Sequence, residues 1–442
     1  LRIVVVGYGT AGSAAAGYAR RFCRECEIIV VERRRYAVFH PCSIPEAIAG
    51  LIPFESLREE KPLTPGVEAV LGKRVVDGGG GFIELEDGGR IEYDRLILAT
   101  GATPLIPGGL REAVGLSGVY TLRDVEDGVR IREKALSSSK AVVIGGGAVG
   151  LEVAVALNML GLKVSVFEMM PHILPGMLDG DMARMAEALL ASRGIEVLTN
   201  NPARLVEERG GRLRVVGDKQ EREADLVVMA VGVRPDTTLA GRMGVKTGSL
   251  GGIMVDKHME TNVSGIYAAG DNAEVRDLVS GNMTLAMLAS PAFRQGRAAG
   301  INAAGGSAEY KGTVKPWIVN LHDAAVGGAG ISLEAAEKIG MDAVAARIQA
   351  YNKPQYMPGA ERISVKLVAS RDKGRILGVE VFSKADITGL VDVAASLIRL
   401  GADVWSAVEL ENAYMPRFSE VYTPLYVAAE AAARRLERDR RR

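Results

Sequence analysis

Cys42 lies in the run Phe39-His40-Pro41-Cys42-Ser43-Ile44-Pro45, and no cysteine follows it in the chain. A thiol becomes a strong nucleophile once ionised, and one without a resolving cysteine downstream must take its second sulfur from a substrate. The flanking residues predict how ionisation is favoured. Ile44, Ala47, Ile48 and Leu51 recur on one helical face and Pro45 suits the first helical turn. Cys42 is therefore expected just outside a helix N-terminus, where partial positive charge favours thiolate. The commonest fate of an unbridged cysteine, a small buried hydrophobe, fits the Pro and Ser neighbours poorly. His40, two positions earlier, could act as an acid or orient a sulfur substrate, or it could form a pocket wall.

Two glycine loops must position this chemistry. Gly7-Tyr8-Gly9-Thr10-Ala11-Gly12 follows the apolar run Ile3 to Val6 and reappears as Gly145-Gly146-Gly147-Ala148-Val149-Gly150. The strand after each loop closes on an acid, Glu32 in the first unit and Glu168 in the second. A third pair completes the duplication: Leu96-Ile97-Leu98-Ala99-Thr100-Gly101 and Leu226-Val227-Val228-Met229-Ala230-Val231-Gly232. Glycines at this spacing permit a tight turn and close approach of a pyrophosphate to a helix N-terminus, and the acid accepts hydrogen bonds from ribose hydroxyls. Two dinucleotide sites with a cysteine after the first predict an electron relay from NADH, at the second loop, through FAD, at the first, to sulfur. Glu168 at the ribose favours NADH, with NADPH possible, because a carboxylate repels a 2′-phosphate.

The 442 residues suffice for three domains. The boundaries expected are 1–110 with 233–310 for the first dinucleotide unit, 111–232 for the second, and 311–442 for a C-terminal α+β domain. Gly265 to Ala269 forms a strand ending at Gly270-Asp271 that has no counterpart in the second unit and is expected to return to the first. Lys and Arg balance Asp and Glu at 54 each and aromatics are 5%, which argues against a nucleic-acid partner. With no run of 18 apolar residues and an opening strand that leaves no room for a leader, a cytoplasmic protein away from membranes is expected. Cys23-Arg24-Glu25-Cys26 has redox-pair spacing, but a helix would carry it roughly 15 Å from the glycine loop, so both cysteines are read as ordinary residues at a helix end and strand start. The arginine-rich tail from Arg434 to Arg442 is expected to be a solvated, frayed helix end.

Together with Cys42-Ser43-Ile44-Pro45, Ala99-Thr100-Gly101, Gly145-x-Gly147-x-x-Gly150, Gly270-Asp271, Gln295-Gly296-Arg297 and Tyr414-Met415-Pro416-Arg417, these motifs resemble those of the FAD-dependent pyridine nucleotide-disulfide oxidoreductases. The resemblance is to their single-cysteine branch, which includes coenzyme A-disulfide reductases, NADH oxidases and persulfide or polysulfide reductases. It implies an α/β fold of two tandem Rossmann-like dinucleotide-binding domains and a C-terminal α+β dimerisation domain. It also implies a homodimer, Asp271 touching the FAD ribityl and phosphate region, and Tyr356 and Tyr414 approaching the redox cysteine of a partner subunit. A phenol there could protonate a departing thiolate. The second cysteine of the two-cysteine branch is replaced by Ala47. Thr10 stands where the oxidases carry a histidine, Val38 and Pro41 where coenzyme A-disulfide reductases carry serine and asparagine, and Ala148 where an aromatic is frequent. The expected acceptor is a small sulfur compound: coenzyme A disulfide, persulfide or polysulfide. The alternatives are an NADH oxidase that cycles Cys42 through sulfenic acid, or a flavin reductase of a protein electron carrier.

Overall fold

Near-continuous runs of Val, Ile and Leu, such as Ile3 to Val6 and Ile28 to Val31, make strands that can be buried on both faces, as in parallel sheets covered by helices. The computed structural model describes residues 1–62 and 64–441, without the side chain of Val38. Its contacts divide the chain into two units. The first comprises Leu1–Leu105, Arg123–Val129 and Val233–Thr313; the second comprises Ile106–Leu122, Arg130–Gly232 and Val314–Arg442.

The first unit holds a five-stranded parallel sheet in the order Ile266–Ala268, Arg95–Leu98, Arg2–Val6, Glu27–Glu32, Glu68–Leu71. The Thr10–Phe22 and Ala289–Ala303 helices pack against each other, and small residues set how closely. A Cβ on Gly296 would collide with the Ala11 carbonyl oxygen, and one on Gly300 with that of Ala15. These two glycines bring the second helix, with its Gln295, against the start of the first.

The second unit repeats the sheet as Val119–Thr121, Leu226–Met229, Lys140–Ile144, Lys163–Phe167, Ile195–Leu198. Its edge strand Val119–Thr121 occupies the position that Ile266–Ala268 holds in the first sheet, so that strand does have a spatial counterpart. The sequence comparison misses it because one edge strand precedes its glycine loop and the other follows by more than two hundred residues. Each parallel sheet is accompanied by a three-stranded antiparallel one, Val75–Gly79 to Arg90–Glu92 in the first unit and Ala203–Arg209 to Glu221–Ala224 in the second.

The C-terminal part of the second unit is an antiparallel sheet in the order Trp317–Asn320, Ala325–Gly330, Ile376–Ser383, Arg362–Ser370, Ala343–Tyr351. The Pro424–Arg440 helix covers it, with Ala428, Ala429, Ala432 and Ala433 buried. The basic tail is not the frayed end expected. Arg435 donates to the Ala345 carbonyl at 2.8 Å, Asp439 pairs with Arg371, and the Arg440 guanidinium lies over the Trp405 ring at 4.8 Å. The helix thus holds through Arg440 instead of fraying, while most of the charged run is exposed, as expected. Arg442 lies outside the described residues. No helix among the described residues is long and apolar enough to cross a membrane.

Candidate functional site

The two glycine loops are built alike to the level of individual atoms. Gly7 and Gly145 have φ of +91° and +111°, and a Cβ on either would strike a backbone carbonyl, of Ala99 and of Ala230 respectively. A Cβ on Gly12 would strike the Gly7 oxygen, and one on Gly150 the Gly145 oxygen. The middle glycines differ from these: at Gly9 and Gly147 a Cβ would meet no atom within 4 Å. Each caps the helix that follows without a side-chain hydrogen bond, which leaves the N-terminal N–H groups facing open space. That is the cradle a pyrophosphate needs.

The acids also match. Glu32 Oε2 accepts from the Tyr8 N–H at 2.8 Å, and Glu168 Oε2 accepts from the Gly146 N–H at 2.7 Å. The other oxygen of each accepts the N–H two residues further on, from Arg34 at 3.0 Å and Met170 at 2.7 Å. Each carboxylate thus fastens its strand end to its glycine loop and keeps lone pairs for a ribose. Glu32 is additionally paired with the Arg34 guanidinium at 3.0 Å, whereas Glu168 is followed by the exposed Met169 and Met170.

At the strand end after Ala268, the Gly270 N–H donates to Gln295 Oε1 at 2.8 Å, and Asn272 Nδ2 donates to the Leu98 carbonyl and to Thr100 Oγ1 at 3.0 and 2.9 Å. Thr100 in turn donates to the Asp236 carbonyl. Asp271 lies 3.6 Å from the Arg123 guanidinium, which also borders Gly101. Arg123 Nε, Asn272 Oδ1 and Gln295 Nε2 are buried without a protein partner. Orphaned polar atoms beside an open glycine cradle fit a large polar cofactor with its own donors and acceptors. The sequence pointed to Ala99, Thr100, Gly101, Gly270 and Asp271 here. It missed Arg123 and Asn272, for which only their place in the fold gives a signal.

Cys42 is exposed, in a turn of 3₁₀ helix over Pro41–Ser43 that leads into the Ile44–Ala49 helix. That helix is only six residues long, so fewer aligned peptide units stand behind the thiol than the apolar pattern implied. Ile44, Ala47 and Ile48 are buried, but Leu51 lies past the helix end and is exposed, a correction to the expected face. Gly50 ends the helix with φ +84°, turning the chain before the pattern can continue. The Val38–Phe39 strand pairs with Arg58–Glu59, and the His40 N–H donates to the Leu57 carbonyl at 3.0 Å, anchoring the approach to Cys42. The His40 imidazole is half exposed and lies 3.7 Å from Glu59. Arg34 stacks on Phe39 at 3.9 Å while bonding Glu32 and Asp124, so one guanidinium links the ribose acid to the segment that carries the thiol.

Tyr356 and Tyr414, 75% and 50% exposed, lie close enough in the second unit for the one to act on the other's ionisation. Desolvation and the Tyr356 hydroxyl raise the Tyr414 pKa, so this phenol stays protonated through the neutral range. Met415, Phe418 and Tyr422 beside them are also exposed.

Cys23 and Cys26 form a disulfide, contrary to their reading as ordinary residues. Cys23 caps the C-terminus of its helix and the strand starts at Glu27, so the tight turn brings the two Cα atoms to 5.4 Å, within disulfide reach.

The family described as pyridine nucleotide-disulphide oxidoreductase matches residues 1–296, and its dimerisation domain matches residues 318–426. An NADH oxidase of Methanocaldococcus jannaschii is 32% identical, over 99% of both chains. A CoA-dependent NAD(P)H sulfur oxidoreductase of Pyrococcus furiosus is 32% identical, over 97% of this chain and 98% of the other. Among solved structures, an NAD-dependent persulfide reductase from A. fulgidus superposes with a TM-score of 0.94 at 31% identity, over 99% of this chain and 84% of that one.

Proposed function

The chain belongs to the pyridine nucleotide-disulphide oxidoreductases, and from that membership we propose that it is an NADH-dependent, FAD-containing enzyme that reduces a sulfur-sulfur bond through Cys42. The carrying observation is that Cys42 is exposed and outside the disulfide formed by the two other cysteines. With Ala47 at the position of a resolving cysteine, the second sulfur of each cycle comes from the substrate.

FAD, when bound, supplies the two-electron relay between NADH and sulfur. The first glycine loop, Glu32, Thr100, Gly101, Gly270 and Asp271 would hold it, with Arg123, Asn272 and Gln295 offering the orphaned atoms. The second loop and Glu168 would hold NADH. Cys42 thiolate attacks one sulfur of the acceptor, the sulfur-sulfur bond breaks, and the leaving sulfur departs with the electron pair. The Tyr414 phenol of a second copy, supported by Tyr356, gives that sulfur its proton, and His40 orients the acceptor. The product on the enzyme is a mixed disulfide or persulfide of Cys42, whose two-electron reduction restores the thiolate. The matched dimerisation domain and the exposed aromatic surface around Tyr356, Tyr414 and Phe418 support a homodimer. The names of the CoA-dependent sulfur oxidoreductase and persulfide reductase relatives support a small sulfur compound as the acceptor, and coenzyme A disulfide, coenzyme A persulfide and polysulfide are the candidates of that class.

Glu168 sets nucleotide choice. Its charge opposes a 2′-phosphate, and Met169 and Met170 offer no cation in compensation. Glu168→Gln should raise kcat/KM for NADPH relative to NADH about tenfold, from removing one repulsive charge at the ribose. Steady-state kinetics with both nucleotides read the ratio, which is insensitive to any shared loss from the altered contacts to Gly146 and Met170.

Anaerobic NADH oxidation by the FAD-loaded protein, with coenzyme A disulfide and then polysulfide, tests the assignment. Turnover with either supports it. Four-electron reduction of oxygen to water, with neither sulfur compound turned over, would transfer the reading to an NADH oxidase, the activity named for the M. jannaschii relative.

A further inference from the structure

The Cys23–Cys26 disulfide closes the turn between the Thr10–Phe22 helix and the Glu27–Glu32 strand. Its two sulfurs are unequally placed: Cys26 belongs to the core and is 2% exposed, whereas Cys23 is only partly buried. The helix has 13 residues, which puts the pair about 20 Å from the glycine loop. It therefore takes no part in the relay described above. Arg20 and Arg21 precede it in the sequence and Arg24 lies within it. Arg20 donates to the Arg24 carbonyl at 2.7 Å and to the Gly66 carbonyl, bracing the turn, and Arg21 and Arg24 are exposed.

We propose that Cys23–Cys26 is a second thiol-disulfide exchange site, entered at Cys23 by a low-molecular-weight thiolate and chemically separate from Cys42. Exchange requires in-line attack on one sulfur with the other leaving. The more exposed cysteine of the pair is Cys23, whereas Cys26 belongs to the core. An incoming thiolate bonds to Cys23 Sγ, the Cys23–Cys26 bond breaks, and the electron pair goes to Cys26 Sγ, which takes a proton from water. Return of Cys26 thiolate onto Cys23 expels the entering thiol. A second equivalent attacking the entering sulfur instead leaves the dithiol and one small-molecule disulfide. The bonded pair is the state that the structure shows. In the turn itself the exposed Arg24 offsets the exposed Glu25 that follows it, so the turn presents no net negative charge to an attacking thiolate.

The test uses the Cys42→Ser chain, in which Cys23 and Cys26 are the only remaining sulfurs of cysteine. Dithiothreitol added to the folded, FAD-loaded protein should release two titratable thiols per chain without denaturant. Oxidised glutathione should then modify Cys23 in Cys26→Ser/Cys42→Ser at least about tenfold faster than Cys26 in Cys23→Ser/Cys42→Ser, as access governs exchange. Thiols released only after denaturation, or equal rates at the two positions, would overturn the proposal and leave a sealed structural brace. Circular dichroism of each variant confirms that the folded chain is compared. Because Cys42 is absent throughout, the outcome is independent of whether Cys42 reduces a sulfur acceptor.

Discussion

Cys42→Ser is expected to lower NADH-dependent reduction of coenzyme A disulfide or polysulfide by about a thousandfold or more, because a serine hydroxyl does not ionise near neutrality and forms no reducible bond to sulfur. The loss should fall on kcat. The neighbouring Ser43 hydroxyl in the same turn ionises no more readily than the introduced serine, and the remaining two cysteines are bonded to each other. Reduction of an artificial one-electron acceptor by NADH should persist in the same variant, since it needs only the two dinucleotide cradles. This pair of measurements separates a missing nucleophile from a misfolded flavin domain. The substitution is isosteric apart from one atom at an exposed site, so stability should change by no more than about 0.5 kcal/mol. Undiminished sulfur reduction by the serine variant would remove Cys42 from the reaction altogether.

What was legible in the sequence was contiguous. Gly7, Gly9 and Gly12 lie within six positions, and the strand before and the acid after are fixed by short connections, so spacing alone predicts the cradle and its repeat at Gly145. Cys42 was legible for the same reason. The partners that complete these features come from far along the chain and carry no local signature. Arg123 meets Asp271, Asn272 reaches back to Leu98, and Gln295 caps Gly270 only because Gly296 and Gly300 let one helix lie on another. The disulfide escaped for a different reason. Helix periodicity places Cys23 and Cys26 along the chain but says nothing about which way two side chains face once the helix has ended.

The largest stability effect is expected at Lys366, whose sequence setting conceals its role. In Ile363-Ser364-Val365-Lys366-Leu367-Val368 the alternation reads as a strand with Lys366 toward water, yet the residue is buried. Its ammonium lies 2.7 Å from Asp179 and 2.7 Å from Asp181, and Arg347 reaches Asp181 at 3.3 Å. Asp179 also accepts the Leu333 and Glu334 N–H groups that open the Leu333–Lys338 helix. Glu380 takes the Asp179 N–H on its carboxyl oxygens at 3.2 Å. Two cations and two aspartates already balance, and a third carboxylate would leave net negative charge in the interior. Burial, with Asp179 beside it, accordingly pushes the Glu380 pKa well up, while hydrogen bonds from Lys366 and the Glu334 N–H hold that of Asp179 down against its own burial. Lys366→Met removes the balancing charge without changing the length of the chain that packs, and should cost about 3–5 kcal/mol, the range for breaking one partner of a buried pair. The deficit should shrink in acid, once Asp179 is protonated and no longer needs a cation. Glu380→Gln should act in the opposite direction. A carboxyl with a raised folded pKa binds a proton that the unfolded chain has released above its ordinary value of 4.5, so native stability falls as pH rises from there toward the folded pKa. The neutral amide removes that dependence and keeps an acceptor for the Asp179 N–H. Thermal unfolding from pH 4 to pH 9 would show it as a flatter profile with the gain at the alkaline end, and an unchanged profile would mean that Glu380 is ionised in the folded chain. A sheet position that looks like surface is thus held in the core by charge neutrality, and the same neutrality ties the segment after Glu168 to the C-terminal sheet of its unit.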